Sequence, residues 1–246
     1  MNLVALGLLA TILTQAAATP PTRAPAPVMT VHGASWLERE SREAEQRPSD
    51  VIRAMRLKDG DVVADLGCGT GWFARRMARA VAPRGKVYAV DIQPEMLDLL
   101  RGYVAAEGVS GVEAVLGTEN DPRLPPGGLD WILMVDVYHE FQKPEAMLEA
   151  IRRSLKPTGK VALIEYRLEG ETASHIRTEH RMTVDQVLAE WVPAGFRLVK
   201  QLDFLPTQHF FILEAARSVP PRQGRATQPE SPRRPGRMSR GPAPRV

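Results

Sequence analysis

Asp65-Leu66-Gly67-Cys68-Gly69-Thr70-Gly71 is the segment of this chain whose residue types and spacing point most directly to chemistry. An acid closes the apolar run Val62–Leu66, and glycine then recurs at every second position. Glycine has no Cβ and tolerates positive φ, so such a loop lets the backbone approach a bound cofactor closely. Trp72–Val81 follows with helical periodicity, which gives strand, glycine loop and helix in sequence. The dinucleotide-binding fingerprint G-x-G-x-x-G fails here, because Trp72 follows Gly71. A glycine-rich turn in some other α/β protein is the competing reading of the loop alone. Cys68, the sole cysteine, excludes an internal disulfide. It reads as a small side chain suited to a crowded loop, with a nucleophilic role as the alternative.

Further chemistry-bearing residues fall at the ends of later apolar runs, where ligands of open α/β sheets collect. Asp91 ends Lys86–Asp91. Its carboxylate can accept from two hydroxyls at once and so suits a ribose diol. The competing role is a turn aspartate before Gln93-Pro94. Glu119, Asn120 and Asp121, after Gly117-Thr118, are polar candidates at the end of the third run, with solvated loop charges as the competing reading. Asp136 ends the run 131–136, and Val137-Tyr138-His139-Glu140-Phe141 should floor a reaction pocket. His139, a base near neutral pKa, is placed to take a proton from an acceptor hydroxyl. Tyr138 and Glu140 are polar groups of the same pocket, and a structural hydrogen bonder is the other reading of His139. His180 either faces the acceptor or sits on an exposed loop. His32, His175 and His209 show no ligand spacing with one another, so no metal site is expected.

The elements that must position these residues alternate regularly. Helices are expected over Ser35–Gln46 and Asp50–Met55, the latter with Ser49 as N-cap. Strands are expected at 62–66, 86–91, 112–116, 131–136 and 160–166. Helices are expected at 72–82, 94–107, 144–155 and 183–194, the last capped by Thr183. Lys156-Pro157-Thr158-Gly159 reads as a turn. Phe196–Leu205 and His209–Glu214, joined tightly, can only be antiparallel. Strand–helix alternation implies a parallel sheet covered on both faces.

Outside residues 34–216 the composition changes. Residues 217–246 carry eight arginines against the single acid Glu230, so that tail holds +7 of a chain whose total is +3, leaving −4 elsewhere. The basic character therefore belongs to the tail and gives no reason to expect a nucleic-acid partner for the rest. With almost no apolar content the tail reads as disordered, and an anionic partner for it is the alternative. Residues 19–33 read as a proline-rich extended linker. Residues 1–18 combine an apolar stretch with small residues at the end, as a signal peptidase prefers, although no Lys or Arg precedes the apolar stretch. Export, to the periplasm or outside, is the expectation. A membrane anchor through residues 3–13, or a cytoplasmic location, is the alternative.

Val63–Gly71, Tyr88–Ile92, Leu129–Val137 and Leu155–Lys160, in that order, resemble motif I through the post-motif region of class I S-adenosylmethionine (SAM)-dependent methyltransferases. The likeness is to the small-molecule group that includes methyltransferase type 11 proteins and quinone C-methyltransferases, and it covers roughly residues 35–215. It implies an α/β, Rossmann-like three-layer sandwich whose seven-stranded, mostly parallel sheet ends in an antiparallel C-terminal strand pair. It implies SAM as cofactor and SN2 methyl transfer to a small-molecule acceptor. Gly67, Gly69 and Gly71 would then admit the amino-acid portion of SAM, with Cys68 in the same loop, and Asp65 would orient the loop or meet the ammonium group. Asp91, Ile92, Glu119 and Asp136 complete the expected cofactor shell, and His139 and Tyr138 the catalytic pair. Val137-Tyr138-His139-Glu140-Phe141 departs from a quinone methyltransferase, so a quinone acceptor is not carried over. An exported or membrane-tethered SAM- or nucleoside-binding protein without catalysis is the second reading. The base-methylating Asn/Asp-Pro-Pro-Tyr/Phe motif is missing, since Asp136-Val137-Tyr138-His139 stands in its place.

Overall fold

The computed structural model describes residues 24–216. The signal or anchor read over 1–18, the start of the linker and the tail 217–246 lie outside the described residues. No helix among the described residues is long and apolar enough to cross a membrane.

Three short helices come first: α1 (Ala34–Leu37), α2 (Ser41–Gln46) and α3 (Pro48–Met55). The alternating part follows with β1 (Val62–Leu66), α4 (Trp72–Val81), β2 (Lys86–Asp91), α5 (Pro94–Ala106), β3 (Val112–Leu116), β4 (Leu129–Val135) and α6 (Pro144–Ser154). The chain closes with β5 (Leu155–Arg167), β6 (Arg181–Met182), α7 (Val184–Trp191), β7 (Phe196–Leu202) and β8 (Gln208–Ala215). The strand order is β3-β2-β1-β4-β5-β8-β7. β1 to β5 run parallel, and β8 is antiparallel to both β5 and β7. The two-residue β6 pairs with the far end of β5 and makes the strand count eight rather than the expected seven.

Parallel strands flanked by helices on both faces are buried on both faces, and β1 follows that rule from Val63 to Leu66. Alternate side chains feed two cores. Val63 packs with Phe73, Met77 and Leu97 on one face, while Ala64 and Leu66 join Met147, Ile151 and Trp191 on the other. The sheet thus holds the carboxyl ends of β1, β2, β4 and β5 along one rim.

Several expected boundaries move for identifiable reasons. The single helix expected over Ser35–Gln46 is two helices, because Glu38 leaves helical geometry (φ −110°) and turns its carboxylate to Thr70 Oγ1 at 2.5 Å and Arg75 at 2.8 Å. α3 begins at Pro48, not after Ser49; the preceding Arg47 is left-handed (φ 44°), and proline suits the first helical turn. β5 runs straight through the turn expected at 156–159, and Leu155 pairs with Leu129. A Cβ on Gly159 would lie 2.6 Å from the Leu129 carbonyl oxygen, so that close approach needs glycine. Thr183 does cap α7, accepting the Gln186 N–H at 3.0 Å. The linker is no free spacer from residue 24 onward. Ala26 is fully buried and donates its N–H to the His139 carbonyl at 3.0 Å.

Candidate functional site

A cavity of about 650 Å³ opens over the strand rim. That is within the size range of small-molecule and cofactor sites, roughly 300–1,000 Å³. One end is bounded by the glycine loop and Asp91, the other by His139, Glu140, Tyr166 and His180, and the strap 27–29 crosses it.

At the first end the chain has locked its backbone. The N–H groups of Gly67 and Cys68 both donate to the Val90 carbonyl, at 2.8 and 2.9 Å. Asp91 Oδ2 accepts the Gly69 N–H at 2.9 Å and Oδ1 accepts the Gln93 N–H at 3.0 Å. Each oxygen keeps further acceptor capacity. Burial raises the carboxyl of Asp91 above its ordinary value. Ile92, 40% exposed, forms wall beside it. Of the three candidates after β3, only Glu119 lines the cavity. Asp121 instead serves its own loop, accepting the Arg123 N–H at 2.8 Å.

Some expected cofactor residues lie behind the wall. Asp65 is buried beneath the loop and does not line the cavity. It accepts the Ala74 N–H at the start of α4, which ties the end of β1 to that helix. Gly71 also stands back from the cavity. Its φ of 83° starts α4, and a Cβ there would meet Leu100 Cδ1 at 2.1 Å. Cys68 is buried and its thiol is pushed up by burial and by Asp65 and Asp91, which removes the thiolate a nucleophile requires.

Asp136 lines the cavity with φ 52°, a conformation non-glycine residues seldom adopt. Its Oδ2 accepts from Gln46 Nε2 at 2.8 Å and Gln208 Nε2 at 2.7 Å, and Arg42 Nε braces Gln46 Oε1 at 2.6 Å. Oδ1 is buried with no partner among the described residues. Burial pushes the Asp136 carboxyl up to about 7, with Glu165 acting the same way.

The second end contains an array that sequence reasoning found only in part. His139, 3% exposed, turns Nδ1 to Glu165 Oε2 at 2.6 Å and Nε2 to His180 Nδ1 at 3.1 Å. Glu165, on β5, is fully buried and its Oε1 accepts the Tyr138 N–H at 2.7 Å. Burial by itself would lower the His139 pKa; Glu165, then Asp136 and Glu140, outweigh it and hold the ring above its ordinary value. Burial and the neighbouring His139 lower that of His180. Glu140 lies beside both rings, its carboxyl pushed up to about 7 by burial, and Oε1 accepts the Met29 N–H at 3.3 Å.

Tyr138 is a correction. It is fully buried, its hydroxyl donates to Glu190 Oε2 at 2.6 Å, and its ring packs against Trp191 and Phe141. The short 3₁₀ turn Tyr138–Glu140 spends only three residues per turn, so neighbours point in different directions. One goes to the α7 core and the next to the cavity. Glu165, Gln46 and Gln208 were missed, since an isolated polar residue inside an apolar strand or charged helix carries no periodic signal.

A family profile described as "Methyltransferase domain" matches residues 63–159, which span β1 to the start of β5. A crystal structure of a SAM-dependent methyltransferase from Aquifex aeolicus is similar, with TM-score 0.71 and 27% identity over 76% of this chain and 98% of that one. The domain is a class I SAM-dependent methyltransferase domain. The demethylmenaquinone methyltransferase of Geobacillus kaustophilus is 28% identical over 116 residues, 47% of this chain and 50% of that protein. The ubiquinone/menaquinone biosynthesis C-methyltransferase of Cupriavidus metallidurans is 30% identical over 115 residues, 47% of each. The chain thus spans about half the length of these relatives.

The methyltransferase cofactor fits the residues present. Gly67 and Gly69 line the cavity with bare backbone, and the loop is seated so closely that a Cβ on Gly67 would lie 2.3 Å from Val137 Cγ2 and one on Gly69 2.6 Å from Leu37 Cδ1. Asp91 and Ile92 would hold the ribose and adenine, and the unpartnered Asp136 Oδ1 offers an acceptor for the ammonium group.

The methyltransferase domain also carries a pH signature in Asp65. Burial raises its carboxyl from 3.8 to about 7, against the pull of Arg42. The fold therefore favours the protonated form. That contribution is complete below 3.8 and is lost as pH rises through about 7. In thermal melts at a series of pH values, Asp65→Asn should gain stability relative to wild type across this window and then level off. A difference that does not vary with pH would show that Asp65 stays ionised throughout.

Proposed function

We propose that the protein methylates a small molecule bearing a weakly acidic hydroxyl or thiol, which lies against the His139–His180 end of the cavity. The observation that carries this reading is the continuity of the cavity. Part of its lining is the glycine loop with Asp91, and another part is the pair His139 and His180, with Glu165 holding His139. SAM, when bound, supplies an electrophilic methyl that an acceptor takes by SN2 displacement. The chain's part is alignment, which can account for roughly 7–11 kcal/mol of a barrier, together with removal of the acceptor's proton. Glu165 fixes the His139 ring, and the strap 27–29 forms part of the cavity wall. The two relatives are named for demethylmenaquinone and for ubiquinone/menaquinone, which supports a small-molecule acceptor. The His139 array does not extend that support to a quinone.

Full-length protein is incubated with SAM and a panel of phenols, hydroxy acids and thiols, and S-adenosylhomocysteine is measured. Product should form with at least one acceptor. His139→Ala should lower kcat by roughly 10²–10⁴-fold, the usual contribution of a positioned proton-transfer group, while SAM affinity stays within about threefold. SAM binding with no product across the panel would favour a binding protein without catalysis.

A further inference from the structure

We propose that His139, Glu140 and His180 form a site for one divalent transition-metal ion, zinc(II) or a close congener, at the acceptor end of the cavity. The expectation of no metal rested on His32, His175 and His209, whereas the fold assembles a different set. One ligand atom from each of His139, Glu140 and His180 lies within 4.8 Å of the other two. His139 Nε2 and His180 Nδ1 stand 3.1 Å apart. Two nitrogens bound at about 2.0–2.1 Å to one tetrahedral ion would stand about 3.3 Å apart, so only a slight opening of the pair is needed.

The surroundings are those of a metal ligand. Histidines that bind metal almost always direct the other ring nitrogen to a carboxylate or carbonyl, which fixes the ring and strengthens the ligand. His139 directs Nδ1 to Glu165 Oε2 at 2.6 Å, and Glu165 is itself held by the Tyr138 N–H. Glu140 is steadied through Oε1 by the Met29 N–H of the strap, while His180 comes from a separate 3₁₀ turn, Thr178–His180. The ligands thus derive from two segments about forty residues apart, a separation whose chain entropy a shared ion would offset.

Two imidazoles and one carboxylate select zinc, iron, cobalt or nickel over magnesium or calcium, which prefer all-oxygen sites. Three protein ligands leave a tetrahedral ion one open position, as catalytic zinc sites do. All three residues line the cavity, so that position faces it. Resting on the methyltransferase reading above, the open position would bind the acceptor through its hydroxyl oxygen or thiol sulfur. The acceptor's proton passes to solvent, and the resulting oxyanion or thiolate is the nucleophile that takes the methyl. In that state His139 acts as a ligand instead of a free base.

The test uses untagged full-length protein, stripped with a chelator and titrated with cobalt(II), whose visible d–d absorption reports four-coordination, and with zinc(II) in competition. One equivalent should bind per chain. His180→Ala and Glu140→Gln should each weaken cobalt binding at least tenfold, and Glu165→Gln by 10–100-fold. His175→Ala, on the same cavity wall, should bind as wild type does. SAM affinity of the stripped protein and of every variant, measured by calorimetry, should match wild type and shows that each remains folded. Failure to take up a stoichiometric ion, or uptake unchanged in His180→Ala, would overturn the metal site. Retained SAM binding in that case would leave the methyltransferase reading standing.

Discussion

Asp91→Ala should weaken SAM binding by at least about 100-fold in a calorimetric titration of the full-length protein. Each hydrogen bond to a charged group contributes roughly 1.5–3 kcal/mol, and a ribose diol donates two. At about 1.4 kcal/mol per factor of ten, the loss exceeds two orders of magnitude. The structure adds a second consequence. Asp91 is 8% exposed, and its carboxylate holds the amides of Gly69 and Gln93. The alanine variant therefore also frees the glycine loop, and a loss of thermal stability should accompany the loss of affinity. Asp91→Asn keeps an acceptor oxygen for one of the two amides and should recover part of the stability while binding SAM poorly. Unchanged SAM affinity in Asp91→Ala would refute the placement of the ribose at the end of β2. Parallel titration with NAD should show no binding.

Gly67→Ala should be strongly destabilising for a single added methyl group. Gly67 has φ +74°, and the new Cβ would lie 2.3 Å from Val137 Cγ2, 2.9 Å from Cβ and 3.1 Å from Cγ1. The clash is with a branched side chain at its root, so rotation of Val137 cannot relieve it. Left-handed geometry costs an L-residue roughly 1–2 kcal/mol, and overpacking typically 1–3 kcal/mol more. For a domain of this size each kcal/mol moves Tm by about 2–4 °C. A fall on the order of 10 °C is expected, together with loss of SAM binding, because Gly67 is wall of the cofactor cradle. Gly102→Ala is the contrasting case. Gly102 lies inside α5 with ordinary helical φ and nothing within 4 Å of a Cβ. That change should raise stability by about 0.5–1 kcal/mol. Thermal melts of the two variants check both signs, and a neutral Gly67→Ala would show that the loop repacks around Val137.

What the sequence determined by itself is the part of the molecule set by local interactions. β1, its glycine loop and α4 follow from an apolar run, three glycines and a helical period, all within about twenty residues. Asp91 is legible for the same reason, because the end of a parallel strand is a fixed position beside that loop. Strand–helix alternation specified the parallel sheet, and Pro206-Thr207-Gln208 specified that the last two long strands pair antiparallel.

The tertiary structure alone decided which side chains meet across long separations. Glu165 reaches His139 over 26 residues and His180 reaches it over 41, through strand register and the packing of two 3₁₀ turns that no local pattern encodes. Gln46 and Gln208 converge on Asp136 from opposite ends of the domain. Tyr138 and His139 are neighbours in sequence, yet one enters the α7 core and the other the cavity, because a three-residue turn rotates successive side chains apart. The proline-rich segment read as a spacer lies over the site from Ala26 to Met29 through hydrogen bonds to His139, Glu140 and Gln93. Proline content predicts an extended backbone, and it carries no information about the surface on which that backbone lies.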